Sequence, residues 1–510
     1  MFETAELGRK VDKKTYKNRV TPLREELLQL QEKVRQRGTT QVILLFAGVD
    51  GGGKGETVNL LHEWLDPRWM MTNAYGVPDE IERRRPAFWR YWRDLPPRGR
   101  IGMFLSAWYS QPILDRVYDR NTLHEFDKQL DRILSFETAL VEDGAAVIKF
   151  WMHLSHSAQE RRLKNLERDP LTHARVTERD WDNWRRYDRF IEAAERAISR
   201  THTGRTPWVI VEGEDACYRS LTVGETIHDT FLRVLKRPAE ESPSKTASRE
   251  PKKSAKKKSN GKSSIKKSRQ ATRHVNVLTK LDMDKSLPKQ AYVEELRNLQ
   301  AQLHLLHHQS KEKGVATMLV FEGPDAAGKG GAIRRINSAL AAHNYRVHGV
   351  ASPTDEELAQ HYLWRFWRNI PRDGYIAKYD RSWYGRVLVE RVEGFASEDE
   401  WRRAYAEIND FEQQLTDHGI ILIKYWIHIT KDEQLKRFKS RKQTPHKRWK
   451  LTEEDWRNRE RWEEYEQAVH DMVQYTSTEK APWTLVEGND KRYARIKVLR
   501  TLHDRWSKEI

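Results

Sequence analysis

Cysteine is all but missing from this chain of 510 residues, with Cys217 the only one. One thiol cannot close an internal disulfide, and it excludes a metal site built on a cluster of cysteines. Long hydrophobic runs are missing too. The longest, around Val42 to Val49, falls far short of the roughly 20 apolar residues that span a bilayer as a helix. The first ten residues, MFETAELGRK, hold no apolar stretch of the kind a secretory signal needs. These absences lead us to expect a cytoplasmic protein with no membrane partner. Hydrophobic residues still make up 38% of the chain, enough for packed cores, and the length implies two or more domains.

Positive charge is in excess, with 92 Lys and Arg against 75 Asp and Glu, a formal net charge of +17. Such an excess suits a polyanionic partner, and nucleic acid is one candidate. Its position narrows the choice. Residues 236–273, which include SPSKTASREPKKSAKKKSNGKSS, hold 14 basic and 3 acidic residues, a net +11, and almost nothing that could be buried. That composition predicts a disordered, self-repelling linker, although KKSAKKK is also able to meet an anionic polymer. The flanking segments share the remaining +6 and show no base-reading motif, so no specific nucleic-acid partner is expected.

The two flanks repeat each other at a fixed offset of 275 positions. Gly48, Lys54, Trp89, Trp108, Lys149, Trp151 and His153 return as Gly323, Lys329, Trp364, Trp383, Lys424, Trp426 and His428. A gap-free match of this length means duplication of a whole domain. We therefore expect a lobe over 1–235, the linker over 236–273 and a second lobe over 274–510, the lobes pairing as an intramolecular pseudo-dimer. Further self-association stays open. In each lobe an amphipathic helical stretch (Tyr16 to Arg37, Lys289 to Lys313) precedes an apolar run, VILLFAG or TMLVFEG, and a glycine-rich turn. Later runs such as VIKFWMHL and IILIKYWIHI read as buried strands. Strands alternating with helices predict an α/β fold with a largely parallel sheet, present in two tandem copies.

In the second lobe the first strand runs into Gly323-Pro-Asp-Ala-Ala-Gly328-Lys329-Gly330-Gly331. This is G-x-x-x-x-G-K between a strand and a helix, the context of a phosphate-binding loop. Its glycines let backbone N–H groups wrap an anion, and Lys329 supplies a point charge. Where such loops carry Ser or Thr after the lysine to hold Mg²⁺, this one has Gly330. Asp325 lies inside the loop, where it either binds a cation or hydrogen-bonds its own turn. A second strand ends in Asp380-Arg381, with Arg386 following. Asp380 suits a second metal-holding carboxylate, or else caps a helix, and Arg381 is able to neutralise charge on a transferring phosphoryl group. Beyond it lies a basic stretch carrying Arg441, Lys442, Lys447 and Arg448, interrupted by Pro445. It reads as a lid over phosphates or as a solvated face, and its coupling to a phosphate loop favours the lid. The stretch from Trp364 to Trp367 is able to cover a base or pack as core, and core is the expectation.

Taken together, GPDAAGKGG, YLWRFWRNIP, YDRSWYGRVLVERVEG and RFKSRKQTPHKRWKL resemble the polyphosphate kinase 2 family, over nearly the whole of both lobes. The resemblance implies a P-loop kinase fold and Mg²⁺-dependent phosphoryl transfer between inorganic polyphosphate and nucleotides. Two fused lobes with YGRVLVERVEG are similar to the branch that makes ADP from AMP. Phosphorylation of ADP to ATP is the alternative within the family. An NTP-dependent nucleotide kinase is the alternative outside it, disfavoured by Gly330 and Asp325. The resemblance carries function onto Asp325, Lys329, Asp380, Arg381 and Arg441, with Asp325 and Asp380 at the metal. Gly323, Gly328, Gly330, Arg386, Lys442, Lys447 and Arg448 are expected to contact substrate phosphates.

The first lobe keeps Asp50 and Lys54 but has Leu105, Ser106 and Gln111 at the positions of Asp380, Arg381 and Arg386. Leu166, Thr172 and His173 replace Arg441, Lys447 and Arg448. A leucine cannot hold a metal, and loss of one charge-stabilising donor costs about 2.7–4 kcal/mol in comparable sites. The second lobe is therefore expected to be catalytic and the first degenerate.

Overall fold

The computed structural model describes residues 1–170, 172–173, 176–236, 276–443 and 453–510. The linker expected at 236–273 lies, Lys236 apart, outside the described residues. Two five-stranded parallel sheets carry the architecture. The first is built from β1 (Val42–Gly48), β2 (Met70–Ala74), β3 (Ile101–Leu105), β4 (Ala146–His153) and β5 (Trp208–Glu212), in the order β2-β3-β1-β4-β5. The second uses β6 (Thr317–Glu322), β7 (Tyr345–Gly349), β8 (Ile376–Asp380), β9 (Ile421–His428) and β10 (Trp483–Glu487), in the equivalent order β7-β8-β6-β9-β10. The expected duplicated α/β fold is what forms. The central strands are buried along their length, as parallel strands covered by helices on both faces must be.

In both sheets the strand order reverses beside the first strand of the lobe, with β3 and β4 flanking β1, and β8 and β9 flanking β6. Reversal opens a crevice at the carboxyl ends of the strands, where doubly wound sheets bind ligands. Register then decides what faces it. Phe321 pairs with Asp380, so β8 delivers its terminal carboxylate level with the end of β6. The same register in the first lobe pairs Phe46 with Leu105.

Each lobe contains a charge pair with both side chains almost wholly shielded from solvent. Lys424 on β9 is 0% exposed, and its Nζ lies 2.6 Å from Glu412 Oε2, itself 1% exposed, on the helix Glu398–Asp417. The ammonium also donates to Tyr384 OH at 2.9 Å and Thr476 O at 2.7 Å. Glu412 Oε1 accepts from Trp383 Nε1 at 3.0 Å and Tyr384 OH at 2.6 Å. Lys149, Glu137, Tyr109, Trp108 and Thr201 repeat this network in the first lobe. Burial holds the Lys424 ammonium below its ordinary pKa, with Glu412 opposing the shift. Trp364 and Trp367 are buried as well, and the Trp367 ring packs 5.0 Å from Phe411, so this stretch is core.

Membership of the two compact units crosses the sequence repeat. Asp355–Trp364 belongs to the first unit and Glu80–Ala87 to the second. Within the first unit the buried Gln360 amide accepts from Gln41 Nε2 at 2.8 Å and donates to Leu95 O at 3.1 Å. Among the described residues no helix is long and apolar enough to cross a membrane.

Two stability predictions follow from the buried lysines. Removing one partner of a buried pair strands the other, so Lys424→Met lowers unfolding free energy by about 3–5 kcal/mol in a denaturant titration. Lys378 on β8 is different: among the described residues it has no anionic partner, only Asn337 Oδ1 at 2.6 Å and the face of Tyr345, and burial lowers its pKa to about 7. The unfolded chain then binds the extra proton between pH 7 and about 10.4, so stability rises with pH through that window. Lys378→Met, which copies Met103 of the first lobe, removes that slope and raises stability at pH 7 by about 1–3 kcal/mol.

Candidate active site

The phosphate loop of the second lobe leaves β6 at Gly323 and enters the helix Lys329–Asn337. Gly323 has φ +146, and a Cβ there would lie 2.4 Å from Ile427 O, so only glycine allows β9 to approach this closely. Lys329 Nζ curls over the loop and donates to Gly323 O at 2.7 Å and Pro324 O at 3.4 Å. Arg437, buried on the helix Lys431–Gln443, clamps the loop from behind. It donates to Ala326 O and Ala327 O at 2.9 and 2.8 Å, and to Gly488 O at 2.6 Å.

Asp325 is the hub of the site. Its Oδ1 accepts from Arg381 Nη2 at 2.7 Å and its Oδ2 from Asn458 Nδ2 at 3.1 Å, while Gln434 Nε2 donates to its carbonyl at 3.2 Å. Burial pushes the Asp325 carboxyl up, but Lys329, Arg381 and the Asn458 bond outweigh it and hold the pKa below the usual range. Arg381 reaches Asp325 from a left-handed backbone, φ +66, a conformation costing about 1–2 kcal/mol for a non-glycine residue. Its N–H donates to Phe321 O at 3.1 Å, which ties the turn to β6. The strain recurs at Ser106, φ +50, although the guanidinium is gone.

Asp380 faces Gly330. A Cβ on Gly330 would lie 3.8 Å from Asp380 Oδ2, so the space where a loop hydroxyl is expected looks onto this carboxylate. Asp380 makes no side-chain hydrogen bond or ion pair among the described residues. No group of three or more His, Cys, Asp or Glu side chains forms a metal cage among them either. Arg386 is not brought to the loop: Glu390 holds it at 3.0 Å and Glu400 at 3.6 Å, and it does not line the cleft. Arg441 and Lys442 lie in the last turn of the helix Lys431–Gln443, and Lys447 and Arg448 fall outside the described residues.

Sequence reasoning missed three contributors. Glu322, the last residue of β6, is buried and accepts from Ser382 Oγ at 2.8 Å, and burial raises its pKa against the pull of Lys329. The exchange of Ala47 for Glu322 between lobes was its signal. Asn458 and Gln434 recur as Asn183 and Gln159, whose amides bond Asp50 in the same way, at 2.8 Å to its carboxylate and 3.1 Å to its carbonyl.

Beside this hub opens a cleft of about 760 Å³, part of it continuous with solvent. Glu322, Asp325 and Arg381 form its polar end; Leu388, Val389, Trp426, Trp462, Tyr465 and Val469 form its apolar wall. Burial lowers the pKa of His428, also in the wall, to about 4, so its ring is neutral. Trp426 Nε1 and His428 Nδ1 are buried without a hydrogen-bond partner among the described residues.

The first lobe fills the same places with its own chain. Phe2 stacks on His153 and Trp151, the counterparts of His428 and Trp426, at ring distances of 4.5 and 5.7 Å. Glu6 accepts or shares a proton with His153 Nε2 at 2.8 Å. Beside Asp50, Tyr187 and Phe190 leave no space that would admit even a water molecule.

A loop lysine, an internal carboxylate paired with a strand-end arginine, and a second carboxylate opposite a glycine thus stand together at the end of β6. The family model for polyphosphate kinase 2 matches residues 10–238 and 286–509. The chain belongs to the polyphosphate kinase 2 family. A polyphosphate:AMP phosphotransferase of Pseudomonas aeruginosa is 46% identical over 504 residues, 99% of this chain and 98% of the relative. One from Acinetobacter johnsonii is 37% identical over 471 residues, 92% of this chain and 91% of the relative. A crystal structure of polyphosphate kinase 2 from Pseudomonas aeruginosa matches with a TM-score of 0.87 and 44% identity, covering 100% of this chain and 99% of its own. The shared fold of this polyphosphate kinase 2 thus extends over both lobes.

The hub yields a pH prediction. Asn458→Asp would set a second carboxylate against Asp325, and like charges raise the pKa of the pair. The acid limb of the pH–rate profile of phosphoryl transfer then moves upward by about one unit, with turnover reduced at neutral pH.

Proposed function

We propose that the second lobe transfers a phosphoryl group from inorganic polyphosphate to AMP, giving ADP, with Mg²⁺ as cofactor. The observation that carries this reading is the Asp325–Arg381 pair, which joins the phosphate loop to β8 at the mouth of the cleft. Full-length similarity to polyphosphate:AMP phosphotransferases supports the choice of substrates. A cytoplasmic setting, where AMP is made, completes the proposal.

The polymer's terminal phosphate would sit in the loop, met by backbone N–H groups, by Lys329 and by the start of the helix. AMP enters the cleft. Its base takes the place that Phe2 occupies in the first lobe, with the Trp426 N–H and the neutral His428 ring available to its polar edge. An oxygen of the AMP phosphate forms the new P–O bond as the terminal phosphoanhydride P–O bond of the polymer breaks. The shortened polymer leaves with the bonding electrons and no covalent enzyme intermediate is needed. Arg381, which bonds Asp325 of the loop and lines the cleft, would offset charge on the transferring group.

Mg²⁺ generally binds through one or two carboxylates completed by phosphate oxygens and water. The free Asp380 carboxylate fits that demand better than Asp325, whose two oxygens are already engaged. Asp380 would hold the ion, which supplies charge neutralisation between the two polyanionic substrates.

Full-length protein incubated with Mg²⁺, AMP and polyphosphate, without ATP, should form ADP. Asp380→Asn should lower turnover at least 100-fold, by order of magnitude, while Lys54→Ala in the first lobe retains most of it. Absence of ADP alongside phosphorylation of AMP by ATP would overturn the reading.

A further inference from the structure

The second lobe carries arginines beyond the loop that its chemistry has not yet used. Arg495, on the helix Lys491–Glu509, lies against Gly331, two residues past the loop lysine. A Cβ on Gly331 would meet its Nη2 at 3.5 Å and its Nε at 3.7 Å. Arg335, one turn along the same helix, donates from Nη1 to Gly331 O at 3.3 Å. Arg495 has no hydrogen bond or ion pair among the described residues. Positive charge is concentrated here: burial lowers the pKa of the neighbouring Arg437, Glu433 opposes, and the charges of Arg441 and Arg495 push in the same direction as burial. Arg437 itself is committed to loop carbonyls and to Glu433.

The first lobe shows what such a place accepts. At the position of Gly331 stands Glu56, whose carboxylate is held by Arg162 and, at 2.8 Å, by Arg219 Nη2. The arginines of the second lobe are absent: Ser220 stands for Arg495, Leu60 for Arg335 and Leu166 for Arg441. One lobe therefore places a carboxylate at this residue, whereas the other has glycine there, pairs Arg437 with Glu433 and adds Arg495 and Arg335. Arg495 has no counter-ion among the described residues, and a guanidinium so placed calls for an anion from outside.

We propose that Arg495, with Arg335 beside it, binds a phosphate of the polyphosphate chain next to the loop, on the side of Gly331. This rests on polyphosphate being the donor of the second lobe. The subsite holds the part of the polymer that is not transferred, so it acts on donor affinity and not on the AMP side.

The test uses full-length protein with long-chain polyphosphate, Mg²⁺ and AMP, comparing Arg495→Gln, Arg495→Lys and Gly331→Glu. The last variant installs the carboxylate of the first lobe at a residue whose φ lies outside the left-handed region. Arg495→Gln should raise KM for polyphosphate roughly tenfold, the scale of one charge-assisted contact, with KM for AMP and kcat within about twofold. It should also flatten the dependence of log kcat/KM on log salt by about one unit. Gly331→Glu should act in the same direction, and Arg495→Lys should restore most of the affinity. Wild-type KM for polyphosphate and salt slope in both Arg495→Gln and Gly331→Glu would overturn the subsite while leaving the donor intact. No ADP from the wild-type protein would instead remove the donor reading itself.

Discussion

An ammonium group shielded from water sits at the centre of each lobe, and the working geometry hangs on it. Lys424 is tolerated there only because Glu412, Tyr384 and Thr476 satisfy it together. The same carboxylate fixes Trp383 and Tyr384, the residues directly after Asp380, Arg381 and Ser382. A pair that joins β9 to the helix Glu398–Asp417 thereby locks the turn that aims Arg381 at Asp325. The first lobe retains the same network with Leu105 and Ser106 in place of Asp380 and Arg381, so the network does not depend on those two side chains.

Duplication allows each lobe to serve as the control for the other. Loop glycines, the loop lysine, the internal aspartate with its Asn and Gln partners and the left-handed residue after β3 or β8 all survive in both. Several of the differences fall in ligand space. Where the second lobe has a cleft, the first has Phe2; where the second gathers arginines around Gly331, the first has Glu56. On the proposed assignment, the first lobe differs from the second by filled subsites and missing charges on a shared frame.

Much of this frame was legible in the sequence because it depends on local pattern. Buried parallel strands are uninterrupted apolar runs, and the phosphate loop announces itself by glycine spacing between a strand and a helix. The fixed offset exposed the loss of Asp380 and Arg381 from the first lobe. Contacts made at long range were not legible. Asn458 reaches Asp325 across 133 positions, and nothing in its helix sequence distinguishes it from a solvated amide. Glu322 was hidden at the end of an apolar run. Arg386 is near Arg381 in sequence, yet Glu390 and Glu400, one turn and one loop further on, hold it.

The central claim is that only one of two near-identical frames has room and charge for substrate. Calorimetric titration of the full-length protein with AMP, in the presence of Mg²⁺, tests it most directly. The account predicts one nucleotide site per chain. Two equivalent sites per chain would contradict it.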